Sequence, residues 1–251
     1  MRASDFEFRN RFFLIGLLFG LGFFCYSFDR VNAATALVAA ILRRDPDINS
    51  LADRHALQIV LGIGALLVAA SAMIRTWATA YLRTDVVHDP ALHAEGLVAD
   101  GPFRHVRNPL YLGNVLMSIG MGLLASRLGF AVLVLGMLLI TYRLIGREEE
   151  QLMSAQDEGY RAYRAAVPRL LPSLSPRIPS GLTRPRWAQA WLGEAFFWGF
   201  TVAVGAFAVT LKLRYAYIVS GASLLFYVAL MMVLKSKRAT RSEAATTPSK
   251  Q

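Results

Sequence analysis

The sequence predicts an all-α, polytopic membrane protein of about six transmembrane helices with a polar cap on one side. Three observations predict it. Of 251 residues, 55% are hydrophobic, and the mean hydropathy is positive at +0.41. The apolar residues fall in long runs near the ~20 residues that cross a hydrocarbon core. Apart from Arg11 at an edge and Arg143, the basic residues stand between those runs rather than within them. No segment shows the apolar/polar alternation of a transmembrane barrel, so backbone satisfaction in lipid requires helices.

The runs lie near Arg11–Phe28, Ala56–Ile74, Leu110–Ala125, Leu128–Ile145, Trp187–Leu211 and Tyr215–Leu234. Only Ser126 and Arg127 separate the third from the fourth, which makes the pair a tight helical hairpin. Between the first two runs, the apolar piece Ala33–Leu42 predicts a short interfacial helix. The loop Arg75–Pro109 is punctuated by Pro90, Gly96, Gly101 and Pro102, so its second half is expected to turn or extend. After the fourth run, a helix is expected to continue to Pro168 and to give way to a loop through Pro172, Pro176, Pro179 and Pro185. The polar stretch after Leu234 reads as disordered. These divisions give an N-terminal unit at 1–94, a core at 95–172, a C-terminal pair at 173–234 and a tail at 235–251.

The net charge of +10 is compatible in principle with nucleic acid. Its distribution argues instead for a membrane surface. Most of the Lys and Arg residues gather before the first run, around Arg75–Arg107, along Arg147–Arg186 and in the tail. Such clusters belong on the cytoplasmic side, which puts both termini and the two richest loops there. Trp77, Trp187 and Trp191 fall near the expected interfaces. The alternative for the first run is a signal peptide cleaved near Val31-Asn32-Ala33, and its removal leaves the remaining orientation unchanged. The single cysteine, Cys25, excludes an intrachain disulfide and a cysteine metal site. His88 and His93, near Asp85, Asp89 and Glu95, lack the spacing of a metal motif, and no metal is expected.

Two polar clusters flank the hairpin. The first is Gly101-Pro102-Phe103-Arg104-His105-Val106-Arg107-Asn108-Pro109, followed by Tyr111. Pro109 suits the first turn of a helix and Asn108 its N-cap. Arg104 and Arg107 beside that helix end suit an anionic group such as a carboxylate. A basic interfacial cap explains the same residues without any ligand. The second cluster is Glu148-Glu149-Glu150, then Tyr160, Tyr163, Val167, Pro168 and Arg169. Carboxylates at the edge of an apolar helix demand a partner: an arginine such as Arg143, Arg147 or Arg107, or a ligand's hydroxyls or ammonium. Tyr160, Tyr163 and Val167 share one helix face, with Arg161 and Arg164 on another. No glycine-rich nucleotide loop and no serine-histidine-aspartate set is present.

Taken together, Gly101-Pro102-Phe103, Arg107-Asn108-Pro109-x-Tyr111-x-Gly113, Glu148-Glu149-x-x-Leu152, Tyr160-x-x-Tyr163 and Val167-Pro168-Arg169 resemble the isoprenylcysteine carboxyl methyltransferase family and its phospholipid methyltransferase relatives. The resemblance spans about Gly96 to Pro172 and reaches back weakly to Arg75-Thr76-Trp77. It implies an integral membrane enzyme that uses S-adenosylmethionine in a cytosolic pocket and takes its acceptor from the bilayer. The implied cofactor-binding residues are Gly101, Arg104, His105, Arg107, Asn108, Tyr111, Glu148 and Glu149. The implied catalytic set is Arg169, Glu149 and Tyr163, with Arg169 toward the acceptor and Glu149 able to take a proton from an amine. Two positions depart from the family pattern. Asn108 stands where a histidine is usual, and Gln156-Asp157 where an aromatic-glycine pair is usual.

The acceptor class stays open among carboxylates, amines and thiols on a lipid-like or hydrophobic molecule. A bacterial-type inner membrane is the expected location. Membrane lipids are the expected surroundings, and neither nucleic acid nor an obligate protein partner is expected. Two other readings compete: an NADPH-dependent membrane reductase of the sterol type, which shares a similar hairpin doorway, and a non-catalytic membrane scaffold.

Overall fold

The computed structural model describes residues 2–82, 99–155 and 157–246. Among them the regular structure is helical: α1 Asp5–Arg9, α2 Arg11–Phe24, α3 Ala33–Leu42, α4 Leu51–Tyr81, α5 Pro109–Gly122, α6 Arg127–Ala155, α7 Asp157–Ala166, α8 Trp187–Gly193, α9 Ala195–Thr210 and α10 Leu213–Thr246. Short 3-10 turns occupy Cys25–Ser27 and Gly101–Arg104.

Each expected run is helical, but the runs differ in reach. Both α4 and α6 are long and apolar enough to cross a bilayer, and the pair α8–α9, bent by 59°, makes a third crossing if counted as one broken span. By contrast, α2 and α5 hold 14 residues each, about 21 Å at 1.5 Å per residue, short of a ~30 Å core. The short interfacial helix forms over the expected residues as α3, and Asn32 caps it by accepting from the Thr35 N–H at 3.0 Å. The stretch beyond Leu234 departs from expectation. Instead of disorder, the backbone of α10 stays helical to Thr246, because Lys, Arg, Ala and Glu favour helix and no proline interrupts them before that point.

Small residues bring the backbones of α4 and α5 together. A Cβ at Gly120 would lie 2.5 Å from the Gly64 carbonyl oxygen, and one at Gly113 would lie 2.5 Å from the Arg75 side chain. The core of α6 is formed by fully buried Leu133 and Met137 against Leu18 and Val115. At the end where α2 finishes, Asn32 holds the hairpin turn together. Its side-chain amide donates to the carbonyls of Leu123, Leu124 and Ala125 at 3.1–3.2 Å. The Tyr26 hydroxyl adds a bond to Leu124.

A second buried polar cluster ties α8–α9 to this core. Glu194, at the bend, is 3% exposed. It accepts from Arg75 Nε at 2.7 Å, Arg75 Nη2 at 3.3 Å and the Thr79 hydroxyl at 2.9 Å. Arg75 Nη1 donates to Asn114 of α5 at 2.7 Å, and the guanidinium lies 3.8 Å from the Phe197 ring centre. A glutamate inside an otherwise apolar run, facing an arginine near the end of another, marks such a pair in sequence.

Candidate active site

The site grows from three pieces of backbone that meet at the Pro109 end of α5. Gly101 opens the first piece with φ +58°, where a Cβ would collide with the Tyr81 ring at 2.4 Å, so glycine is required. The 3-10 turn then delivers Arg107 and Asn108 to the start of α5, with Pro109 in its first turn as expected. The second piece is the last two turns of α6, carrying Glu148 and Glu149. The third is the chain leaving α7, where Val167 and Pro168 turn Arg169 back. The Arg107 N–H donates to the Pro168 carbonyl at 2.9 Å and locks the first and third pieces together.

Glu149 is the junction. It is 5% exposed. Its Oε1 lies 2.7 Å from Arg107 Nη1, and its Oε2 accepts from Arg169 Nη2 at 2.9 Å. The first contact has the distance of an ion pair but not the angles of a hydrogen bond, so Arg107 Nη1 and Glu149 Oε1 remain without one. Arg107 Nε and Arg169 Nε are also buried and unpartnered. A buried carboxylate between two guanidiniums, with polar atoms unsatisfied, is a costly arrangement for a merely structural contact. Beside it, the Tyr111 hydroxyl donates to Glu148 Oε1 at 2.7 Å.

Asn108 sits at the helix N-cap position, but its side chain makes no capping bond. Its amide donates to the Arg169 carbonyl at 2.9 Å instead. The capping role expected of it is therefore corrected: the chain after Pro168 passes close enough to claim the amide. Arg104 and His105 are likewise engaged by protein. Arg104 Nε donates to the Ile178 carbonyl at 2.8 Å, and His105 Nδ1 lies 2.9 Å from the Ser173 carbonyl oxygen. Both hold the strap 173–178 against the loop. Backbone bonds from Ser173 to His105 and from Arg177 to Arg104 reinforce it.

Tyr160, Tyr163 and Val167 do share a buried face, packed with Leu152, Met153 and Ile178. The Tyr163 hydroxyl donates to the Phe103 carbonyl at 2.9 Å. Tyr163 thus joins α7 to the first piece of the site. Burial raises both phenols above their ordinary value. For Tyr160 the Glu149 charge adds to the rise, and a hydrogen bond with Arg107 opposes it.

Asp100, unnoticed in the sequence, knots the strap from the other side. It is 2% exposed. It accepts from the Ser180 hydroxyl and the Gly181 N–H at 2.8 Å, and from the Thr183 N–H at 2.9 Å. Burial alone would raise its carboxyl, but these bonds outweigh it and hold the group well below the usual carboxylate range.

Among the described residues, no group of three or more His, Cys, Asp and Glu is placed to hold a metal ion. The motif at His88 and His93 lies outside the described residues. A cavity of about 720 Å³ opens at the opposite end of the bundle, lined by Tyr26, Leu61, Phe200 and Tyr217 among others. It touches none of the candidate residues.

The family model described as Phospholipid methyltransferase matches residues 59–156. That stretch runs from α4 through α6 and contains Arg107, Asn108, Tyr111, Glu148 and Glu149. The match agrees with the resemblance carried by the motifs and points to a membrane methyltransferase. No curated protein and no solved structure matches the chain.

Proposed function

We propose that the protein transfers a methyl group from S-adenosylmethionine to a lipid-like or otherwise hydrophobic acceptor, with the site and both termini on the cytoplasmic side of a bacterial-type inner membrane. One observation carries this reading. Glu149 is held between Arg107 and Arg169 while Glu149 Oε1, Arg107 Nε and Arg169 Nε have no hydrogen-bond partner. S-adenosylmethionine has the complementary groups: a carboxylate for the guanidiniums, and an ammonium and ribose hydroxyls for the carboxylate.

When bound, the donor supplies an electrophilic methyl group on a sulfonium. The protein's task is then alignment and exclusion of water rather than strong acid or base chemistry. Arg107 and Glu149 grip the polar portion of the donor, while the Tyr111–Glu148 pair and Asn108 define the adjoining wall. Arg104 and His105 act through the strap they hold, and Gly101 provides the turn that brings the loop over the site. Arg169 faces the acceptor: it is the more open guanidinium, with a side chain 38% exposed against 10% for Arg107. A carboxylate acceptor is oriented by that guanidinium. An amine acceptor loses its proton to Glu149.

The test is a binding titration of the full chain in detergent with S-adenosylmethionine and, separately, NADPH. The wild type is expected to bind the methyl donor, and Glu149→Gln to weaken it by about thirtyfold or more, the loss of a charge-assisted contact. Saturable NADPH binding with no response to the methyl donor overturns the reading in favour of a reductase. Binding of neither leaves a scaffold, and unchanged affinity in Glu149→Gln removes the assigned pocket.

A further inference from the structure

Residues 2–9 form an arm along the last turns of α6. The Ala3 N–H donates to the Arg143 carbonyl at 2.9 Å. Ala3 and Phe8 are buried against Leu144, and Tyr111 packs on the same cluster. A capping box between Ser4 and Glu7 starts α1 and sets its direction.

Three ion pairs then run in antiparallel order along one face of α6. Glu7 takes both Nε and Nη2 of Arg143 at 2.9 and 2.7 Å. Asp5 pairs with Arg147, whose guanidinium also lies 4.9 Å from the Phe8 ring centre. Arg2 Nη1 contacts both oxygens of Glu150 at 2.7 and 2.8 Å. Positions 143, 147 and 150 follow the four-and-three spacing of a single helix face. Glu148 and Glu149 project from the far side of the helix, Glu148 to Tyr111 and Glu149 to the two site arginines.

From this juxtaposition we infer that the arm is a positioning element for the methyl-donor pocket, fixing the rotation and height of the α6 end that presents Glu148 and Glu149. The inference rests on the methyl-donor reading of that pocket. Its logic is one of competition. The partners of Glu149 are the arginines that donor and acceptor must engage, Arg107 and Arg169, so they cannot also anchor the helix once the ligands arrive. The arm's ion pairs engage Arg143, Arg147 and Glu150 rather than Glu148 or Glu149, and its apolar cluster braces Tyr111 at the pocket wall from behind. The arm also lies outside residues 59–156, the stretch matched by the family model.

The experiment uses full-length protein in lipid nanodiscs and three forms: wild type, the double variant Asp5→Asn/Glu7→Gln, and the charge exchange Glu7→Arg/Arg143→Glu. Two quantities are read on each, amide hydrogen exchange in the peptide covering 143–155 and the Kd for S-adenosylmethionine. The double variant is expected to speed exchange in that peptide by about tenfold and to weaken the donor about three- to tenfold, at an unchanged global unfolding midpoint. The charge exchange, which rebuilds the 7–143 pair and keeps Asp5 but loses the Ser4–Glu7 capping box, is expected to hold both quantities closer to wild type than the double variant does, and values equal to the double variant's overturn the inference. Unchanged exchange in the double variant overturns the inference whatever happens to the ligand. Faster exchange with unaltered Kd overturns the link to the pocket. If the wild type binds no methyl donor, the proposed function falls with the link to it, and the exchange data still decide whether the arm holds α6.

Discussion

Glu149 and Glu194 are both nearly inaccessible glutamates facing arginines, yet their surroundings differ in one respect. Around Glu194 every polar group is answered. Arg75 meets it through two nitrogens, Thr79 adds a third bond, the remaining guanidinium nitrogen goes to Asn114, and Phe197 covers the face. Around Glu149 the arithmetic does not close, since Glu149 Oε1, Arg107 Nε and Nη1, and Arg169 Nε are left over. A closed set of bonds holds helices together. An open one, placed where loop, helix end and returning chain converge, is what a polar ligand requires. The comparison therefore distinguishes the two glutamates by hydrogen-bond satisfaction, where charge and burial alone make them look alike.

The largest effect should come from the joint. Arg75→Ala leaves Glu194 charged and alone, and should lower stability by about 3–5 kcal/mol, the usual result of breaking a buried ion pair. Thermal unfolding in detergent measures it. A shift no larger than that of a surface arginine variant would erase the contrast. Next in size is Arg107→Lys. Lysine keeps the charge but loses the planar fork, so donor affinity should fall about tenfold while the unfolding midpoint moves little. If both quantities fell together, the Glu149 cluster would be a second joint.

The smallest effect concerns pH and sharpens the comparison by adding a third buried acid. The Asp100 carboxyl is depressed below its ordinary 3.8 by the hydrogen bonds it accepts. A group depressed on folding stabilises the folded state fully above its unfolded value and ceases to do so as pH falls through its folded value. Limited proteolysis within 173–183 should therefore stay slow at neutral pH and accelerate only below pH 3.8, whereas Asp100→Asn should cleave faster at every pH and lose that acid dependence.

Much of the architecture was legible because it is periodic. Hydrophobic runs located the helices, the apolar piece Ala33–Leu42 located α3, and the spacing of Tyr160, Tyr163 and Val167 gave their common face. Length was less legible. Gly122-Leu123-Leu124-Ala125 is as apolar as the helix before it, so the end of α5 at Gly122 follows from the Asn32 bonds that hold the turn rather than from composition. At the site, the meeting of Arg107 with Glu149 followed from the hairpin. The engagement of Asn108, Arg104 and His105 did not, because their partners are backbone carbonyls at Arg169, Ile178 and Ser173, and a carbonyl carries no side-chain signature. The arm escaped for a similar reason. Arg2, Asp5 and Glu7 look like an ordinary polar N-terminus until α6 is folded beside them.

The contact of Gly64 with Gly120 governs what in this molecule is free to move. With carbonyl oxygen and neighbouring Cα separated by no side chain, α4 and α5 behave as a single pillar whose halves cannot slide without collision. Asn108 and Tyr111 stand on that pillar. For the proposed methyl donor, admission and release then fall to α7 and the strap, while the pillar and the arm-braced end of α6 remain the fixed datum against which they open and shut.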